Sequence, residues 1–396
     1  MNFKTLVISI FSFVGIVVAS SSLYSQHAEF TETIVGQFDV PWALEFLPDD
    51  RLMVSEVKGS IKIINPDGSM GEVSGLPVVA YGGQGGLGDI VLHPNFSNNN
   101  LIYLSYAEPG NDETSGAAVA RAQLVLTEDG GELIDLEIIW RQVPKVTGSG
   151  HYGHRIAFGP NGYLWISSGD RQKFDPAQDM ASNLGKIVRL HDDGSIPIDN
   201  PFFGLGDVTS EIWSLGHRNP LGLAFDQNGQ LWNIEMGPQG GDELNLIQRA
   251  ANYGYPTVSN GDHYDSQGMP DHPLSQITAK NIRENGLNIP DHPLRPEFYP
   301  PAAFWNPAIS PSSLMIYSGT EFPEWTGNAF VGGLSSQALV RVEFNGDIAV
   351  EAQRFEMGRR IRAVEQGPDG SIWVLEGGRP GRGANGYLIK LTAPTP

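Results

Sequence analysis

The chain has 396 residues, 40% hydrophobic content and a formal net charge of −20, with no cysteine. That is enough apolar material for one large core or two smaller ones. With no basic run to track a phosphate backbone, the composition excludes nucleic acid as an expected partner, and the missing cysteines exclude a disulfide framework and lipid attachment through a thiol.

The first 25 residues place one lysine ahead of an apolar run and then small residues, "MNFKTLVISIFSFVGIVVASSSLYS". This is the layout of a secretory signal peptide, cleaved between about Ala19 and Ser25. The apolar run is shorter than the roughly 20 residues a bilayer span needs. We therefore expect a periplasmic or secreted protein with no stable membrane insertion after cleavage. The acid excess favours solubility and can supply oxygen ligands for calcium.

From residue 30 onward one pattern recurs: a hydrophobic strand, a turn of proline, aspartate, asparagine and glycine, then a second strand often carrying tryptophan or tyrosine. The copies are "ALEFLPDDRLMVSE" from Ala43, "DIVLHPNFSNNNLIYLSY" from Asp89, "RIAFGPNGYLWISSGD" from Arg155, "GLAFDQNGQLWNIEMG" from Gly222, a weaker "SLMIYSGTEFPEWTGNAFVGGL" from Ser313 and "AVEQGPDGSIWVLEGG" from Ala363. Each reads as a β-hairpin with Pro-Asn-Gly or Pro-Asp-Gly turn chemistry. A composition of 48 glycines and 28 prolines with only 18% charged residues suits many short strands. One four-stranded unit cannot bury both of its faces alone, so repeated units must stack on one another. The expected fold is all-β, a six-bladed β-propeller of four-stranded antiparallel blades in a single domain over residues 30–393, closed by a late strand at "GYLIKL" from Gly386. A pair of β-sandwiches is the alternative. Residues 258–299, with "PDHPL" twice, interrupt the pattern and read as a long inserted loop.

Residues just before the first strand of such a hairpin lie at the mouth of the central channel. In the third copy these are His151 to Arg155. The fourth has His217, Arg218 and Asn219, the second Gln84 and Asp89, and the sixth Arg360 and Arg362. Arginines converging on one pocket call for an anionic ligand with several carboxylates or phosphates. A neutral imidazole beside them can take a proton near pH 7. His151 and His154 could also pair on a metal, but on an extended or turning chain they need not face the same way. His93 and His191 read as turn residues. The stretch "EMGPQGGDELNLIQRAANYGYP" offers the carbonyls of Gly237 and Pro238, then Asp242, Glu243 and the carbonyl of Tyr253. An oxygen-only set suits calcium, and a solvated acidic loop is the plainer alternative.

At these residues the chain resembles the soluble pyrroloquinoline-quinone (PQQ)-dependent sugar dehydrogenases of the glucose/sorbosone dehydrogenase family, in particular the aldose sugar dehydrogenase branch. The resemblance rests on "GGQGGLGDIVLHPNF", "HYGHRIAFGPNGYLW", "LGKIVRLHDDGSIPIDNPF", "GHRNPLGLAFD", "MGPQGGDELNLI", "NYGYP" and "RRIRAVEQGPDG" in family order, and it spans nearly the whole mature chain. It implies a six-bladed propeller that oxidises the C1 hydroxyl of aldose sugars to lactones by hydride transfer to PQQ, with electrons leaving to a soluble or membrane acceptor. His151 would be the general base and Arg218 would lie near the reactive carbonyls of the cofactor. Asn219, Arg360 and Arg362 would hold its polar groups, and Gln84 and Asp170 would lie near the sugar and the base. The resemblance assigns the Gly237 and Pro238 carbonyls to a calcium that also binds the quinone, and Asp242, Glu243 and Tyr253 to a second, structural calcium.

Three positions depart from the family pattern. Ser335 stands where a lysine facing the cofactor is usual, Ala363 where an aspartate follows the paired arginines, and His154 where many members have glycine. Loss of the lysine bears on cofactor affinity. Two other readings are a calcium-dependent lactonase, which would want carboxylates converging on the axis, and a non-catalytic ligand- or protein-binding propeller.

Overall fold

The computed structural model describes residues 30–262, 289–378 and 385–394. The expected leader and residues 263–288 of the expected insertion lie outside the described residues. The remainder is all-β, with helix confined to short turns such as Phe96–Asn99 and Asp207–Glu211.

All six sequence hairpins are present. They pair Pro41–Phe46 with Leu52–Glu56, Leu87–Leu92 with Leu101–Pro109, Gly153–Phe158 with Leu164–Ser168, Pro220–Phe225 with Leu231–Glu235, Pro311–Ile316 with Ala329–Gly333, and Ile361–Gln366 with Ile372–Glu376. Four of their turns share one geometry, in which the fourth turn residue is left-handed: Asp50 at φ 67°, Gly162 at 76°, Gly229 at 76° and Gly370 at 84°. Each is locked by two backbone bonds, as where Gly159 N donates to Tyr163 O at 2.9 Å and Gly162 N to Gly159 O at 2.9 Å. Glycine meets that dihedral without a Cβ clash, and aspartate tolerates it, which explains why the turn chemistry was readable.

Each hairpin is extended to a four-stranded antiparallel array. The first two arrays join into one eight-stranded sheet through parallel pairs Val73 with Gly131 and Ser74 with Glu132. The sixth takes its outer strand from the other end of the chain: Thr31–Asp39 pairs with Asn385–Thr392 from Thr31 opposite Thr392 to Asp39 opposite Asn385. The stretch "GYLIKL" is thus the strand that ties both ends together.

The first strands of the hairpins touch in sequence order, and the sixth returns to touch the first. The hydrophobic core follows the same cycle. One apolar cluster sits at each junction: Met53 and Ile61 against Ile90 and Ile102, Tyr103 and Val119 against Ile166 and Val188, Trp165 and Ile187 against Leu223 and Leu231, Trp232 and Leu244 against Val331 and Val340, Phe330 and Leu339 against Ile361 and Val374, and Leu375 and Leu388 against Leu44 and Val54. The inner part of each array is therefore buried on both faces, so that strands such as Leu52–Glu56, Leu164–Ser168 and Leu231–Glu235 are buried along their whole length, while outer strands such as Ile348–Glu356 alternate.

Candidate active site

All six inner hairpins carry a register shift at the same end: Pro41/Ala43, Leu87/Ile90, Gly153/Ile156, Pro220/Gly222, Pro311/Ser313 and Ile361/Ala363. A bulge of this kind re-aims the residues inside it. Here those residues include Trp42, Asp89, His154, Arg155, Leu221, Ser312 and Arg362, and they converge on the centre of the cycle. Arg155 is the hub. Its guanidinium donates to Leu221 O at 2.7 Å, Ser312 O at 2.7 Å and Asp89 Oδ1 at 3.0 Å, and lies 4.1 Å from the Trp42 ring centre. Five arrays thus meet at one buried cation. Asp89 and Arg155 were read as groups at the mouth; the bulges turn them onto each other instead, so they brace the centre.

Trp42 and Leu221, which contact this hub, also line a cavity of about 350 Å³ together with Tyr152, His154, Arg362, Gln84, Ser335 and Arg360. Its fixed charge is cationic. Burial pushes the Arg362 guanidinium down to about 9, and its charged neighbours Arg360 and Arg155 add to the shift. Arg360 donates to Leu334 O at 3.1 Å. Such a site favours an anion with several oxygens.

His151 stands beside it, 4% exposed, on a backbone held at φ 47°. Gln84 Oε1 accepts its N–H at 2.9 Å, and its carbonyl accepts Arg171 N–H at 3.1 Å. Its Nδ1 is 2.7 Å from Asp170 Oδ1, inside the protein. Asp170 in turn accepts the amides of Gln172 at 3.0 Å and Phe174 at 3.3 Å, while its own N–H donates to Arg218 O at 2.8 Å. Burial alone would raise Asp170, but the facing imidazole and Arg218 outweigh it and leave the carboxyl below its ordinary value. Burial lowers His151, Arg218 adds to that, and Asp170 opposes it. The couple is therefore an ionised carboxylate and a neutral imidazole, with the Nδ1 proton fixed toward Asp170 and the Nε2 lone pair left as acceptor.

Arg218 is 5% exposed and donates from Nη1 to Met236 O at 3.0 Å, while its amide donates to Glu235 Oε2 at 3.2 Å. Asn219 spends Oδ1 on Gly153 N–H at 3.3 Å. Its Nδ2 has no partner among the described residues.

Arg218 belongs to a second, smaller cavity, lined also by Glu235, Gly237, Pro238, Glu243, Tyr253 and Tyr255; Met236 lines both cavities. Burial raises Glu243, His292 opposes the rise and Glu235 adds to it. Glu235 and Glu243 each have a histidine nitrogen at 3.3 Å, from His217 and His292. Asp242 is used differently: its carboxylate accepts the amides of Gly237 at 2.9 Å, Ile309 at 2.7 Å and Ser310 at 2.8 Å, which pins the Gly237–Pro238 turn to the fifth array. Among the described residues, no group of three or more histidine, aspartate and glutamate side chains is placed to hold a metal ion. Glu235 and Tyr255 were not singled out from the sequence. Glu235 had a signal, since it ends the second strand of its hairpin as Glu56 and Glu376 end theirs.

A carboxylate-paired imidazole beside a cationic cavity, inside a cycle of sheets, has the parts of an enzyme that removes a proton next to a bound anion. The Glucose / Sorbosone dehydrogenase family model matches residues 38–390. The chain belongs to this family of sugar dehydrogenases. It is 36% identical over 372 residues to aldose sugar dehydrogenase YliI of Escherichia coli strain K12, covering 92% of this chain and 95% of the relative. It is also similar to the apo-form crystal structure of the soluble aldose sugar dehydrogenase from Escherichia coli, at TM-score 0.81 and 33% identity over 92% of this chain and 100% of that one. The PQQ-bound aldose sugar dehydrogenase of Streptomyces coelicolor matches at TM-score 0.71 and 26% identity over 93% and 99%.

Proposed function

We propose that the protein is an exported quinoprotein, built as a six-bladed propeller, that oxidises the C1 hydroxyl of an aldose to the lactone. The cyclic contacts of the inner strands and the six clusters between arrays support the propeller reading. The leader layout of residues 1–25 supports export to the periplasm or medium, and no helix among the described residues is long and apolar enough to cross a membrane.

The observation that carries the activity is the 2.7 Å His151–Asp170 couple beside a cavity walled by Arg360 and Arg362. That cavity fits pyrroloquinoline quinone on its own features. It has two neighbouring arginines, Arg360 adding to the downward shift of Arg362, and an aromatic lining from Trp42 and Tyr152 for a flat ring system. When bound, the quinone supplies the hydride acceptor for C1. His151 Nε2 takes the C1 hydroxyl proton, and Asp170 fixes the tautomer and stabilises the imidazolium that forms. Arg218 holds positive charge beside the couple and keeps the resting imidazole neutral. Gln84 positions His151 through its amide and reaches the cavity where the sugar would lie. Arg360, Arg362 and the Asn219 amide would bind the cofactor's oxygens.

Calcium is part of this reading. The Gly237 and Pro238 carbonyls would hold the calcium that also meets the quinone, and Glu243 with the Tyr253 carbonyl, Glu235 being added by the geometry, would hold the second, structural one, all of them residues that line the smaller cavity. Asp242 shapes the turn that presents them. Electrons would leave to a separate soluble or membrane acceptor.

The test is reconstitution. Purified apo-protein titrated with the quinone and calcium should reduce a dye when glucose or another aldose is added. Activity that stays absent with both present would favour a binding module, and lactone cleavage without the quinone would favour a hydrolase.

A further inference from the structure

His154 lines the cavity in a way the mechanism above does not use. It sits in the bulge of the third array, 3% exposed, with its backbone at φ 79°. A histidine there carries a left-handed conformation that glycine would adopt without strain. The neighbouring array makes room for it: a Cβ on Gly88 would lie 2.8 Å from both Cβ and Cγ of His154. The ring is stacked on Tyr152, centroids 5.2 Å apart and planes 15° apart, and the Arg171 guanidinium lies 3.7 Å from the Tyr152 ring centre. Trp42 meets it edge-on at 5.9 Å. Among the described residues neither ring nitrogen has a hydrogen-bond partner. A buried imidazole with a donor and an acceptor unsatisfied is costly, and stacking alone would be served as well by phenylalanine.

We propose that His154 is a cofactor-binding residue: its ring N–H donates to a carboxylate or quinone oxygen of the anionic group that Arg360 and Arg362 hold, in a cavity where Ser335 supplies no charge. This rests on the functional reading above and adds to it a contact particular to this chain, because the position is a departure from the family pattern. The imidazole acts as a neutral donor. Burial, with Arg171 and Arg155 adding to it, pushes its pKa down to about 3. Charge complementarity in the cavity therefore stays with the two arginines, and His154 contributes direction.

The experiment is equilibrium binding of pyrroloquinoline quinone to calcium-supplied apo-protein, followed by quenching of tryptophan fluorescence, in wild type, His154→Phe and His154→Gly. Phenylalanine keeps the stack and glycine relieves the backbone, so their thermal midpoints before loading show whether either fold is disturbed. Both variants should bind about ten- to a hundredfold more weakly, the range for one hydrogen bond to a charged group, with the midpoint of at least one within about 3 °C of wild type, a shift smaller than a typical mutational effect. Dissociation constants within about twofold of wild type in both variants would overturn the proposal and make the ring packing alone. Weakening that only tracks a lost thermal midpoint would overturn it too. If wild type itself does not bind the quinone, the functional reading fails and this inference fails with it.

Discussion

His151 and His154 are three residues apart, are 4% and 3% exposed, and both have left-handed backbones. Their environments separate them. His151 has a carboxylate at 2.7 Å and an arginine behind it, so its two ring nitrogens are unlike: one is tied, one is free to accept. His154 has aromatic rings on one face and edge and only arginines as charged neighbours, so it stays neutral and its nitrogens are equivalent in lacking partners. The lesson is that burial lowers both imidazoles, but only a fixed anion turns one of them into a base.

The largest effect expected from breaking this contrast is at His151. Replacing it with glutamine should lower steady-state turnover by about two to four orders of magnitude, the usual range for a general base. Unchanged turnover would remove it from the chemistry. A loss of up to about four orders of magnitude is expected for Asp170→Asn, where the imidazole survives but the amide can donate to Nδ1 and hold the proton on Nε2, the wrong tautomer for a base. The sign of its pH effect is also set. Asp170 holds the His151 pKa up against burial and Arg218, so the asparagine variant should move the acid limb of kcat/KM to lower pH. A limb that moves toward neutrality would contradict the assigned electrostatics. The mildest test leaves the protein intact: ring chemical shifts of the two histidines followed by NMR. His151 should titrate below the ordinary value of 6.5, and His154 should stay neutral until about pH 3.

Much of the architecture could be read because it is local. A turn of five residues with a left-handed fourth position leaves the same mark in "GPNGY" and "GPDGS", and the hairpins follow. The late strand at "GYLIKL" was legible as the closing one, but its partner Thr31–Asp39 was not, because it lies at the other end of the chain and no short-range signal links the two. Position in the repeat also puts His151, Arg218, Asn219 and Arg362 at the shifted ends of the inner hairpins, and the roles given them above are proposed on that placement. What the sequence concealed was direction. One bulge decides whether a residue faces the cavity or its neighbour, and so Asp89 and Arg155 pair with each other while His154 lines the cavity. Glu235 was concealed for a related reason: its closeness to Glu243 depends on the register of Leu231–Glu235 against Asp242–Leu246.

The central claim is that proton removal and anion binding belong to different groups, His151 for the first and the paired arginines for the second. It is tested most directly by the quinone dissociation constant of His151→Gln beside that of Arg362→Gln. The account predicts wild-type affinity in the first and binding weakened about ten- to a hundredfold in the second, the loss of one charge-assisted contact. Equal weakening in both, or full affinity in the arginine variant, would contradict it.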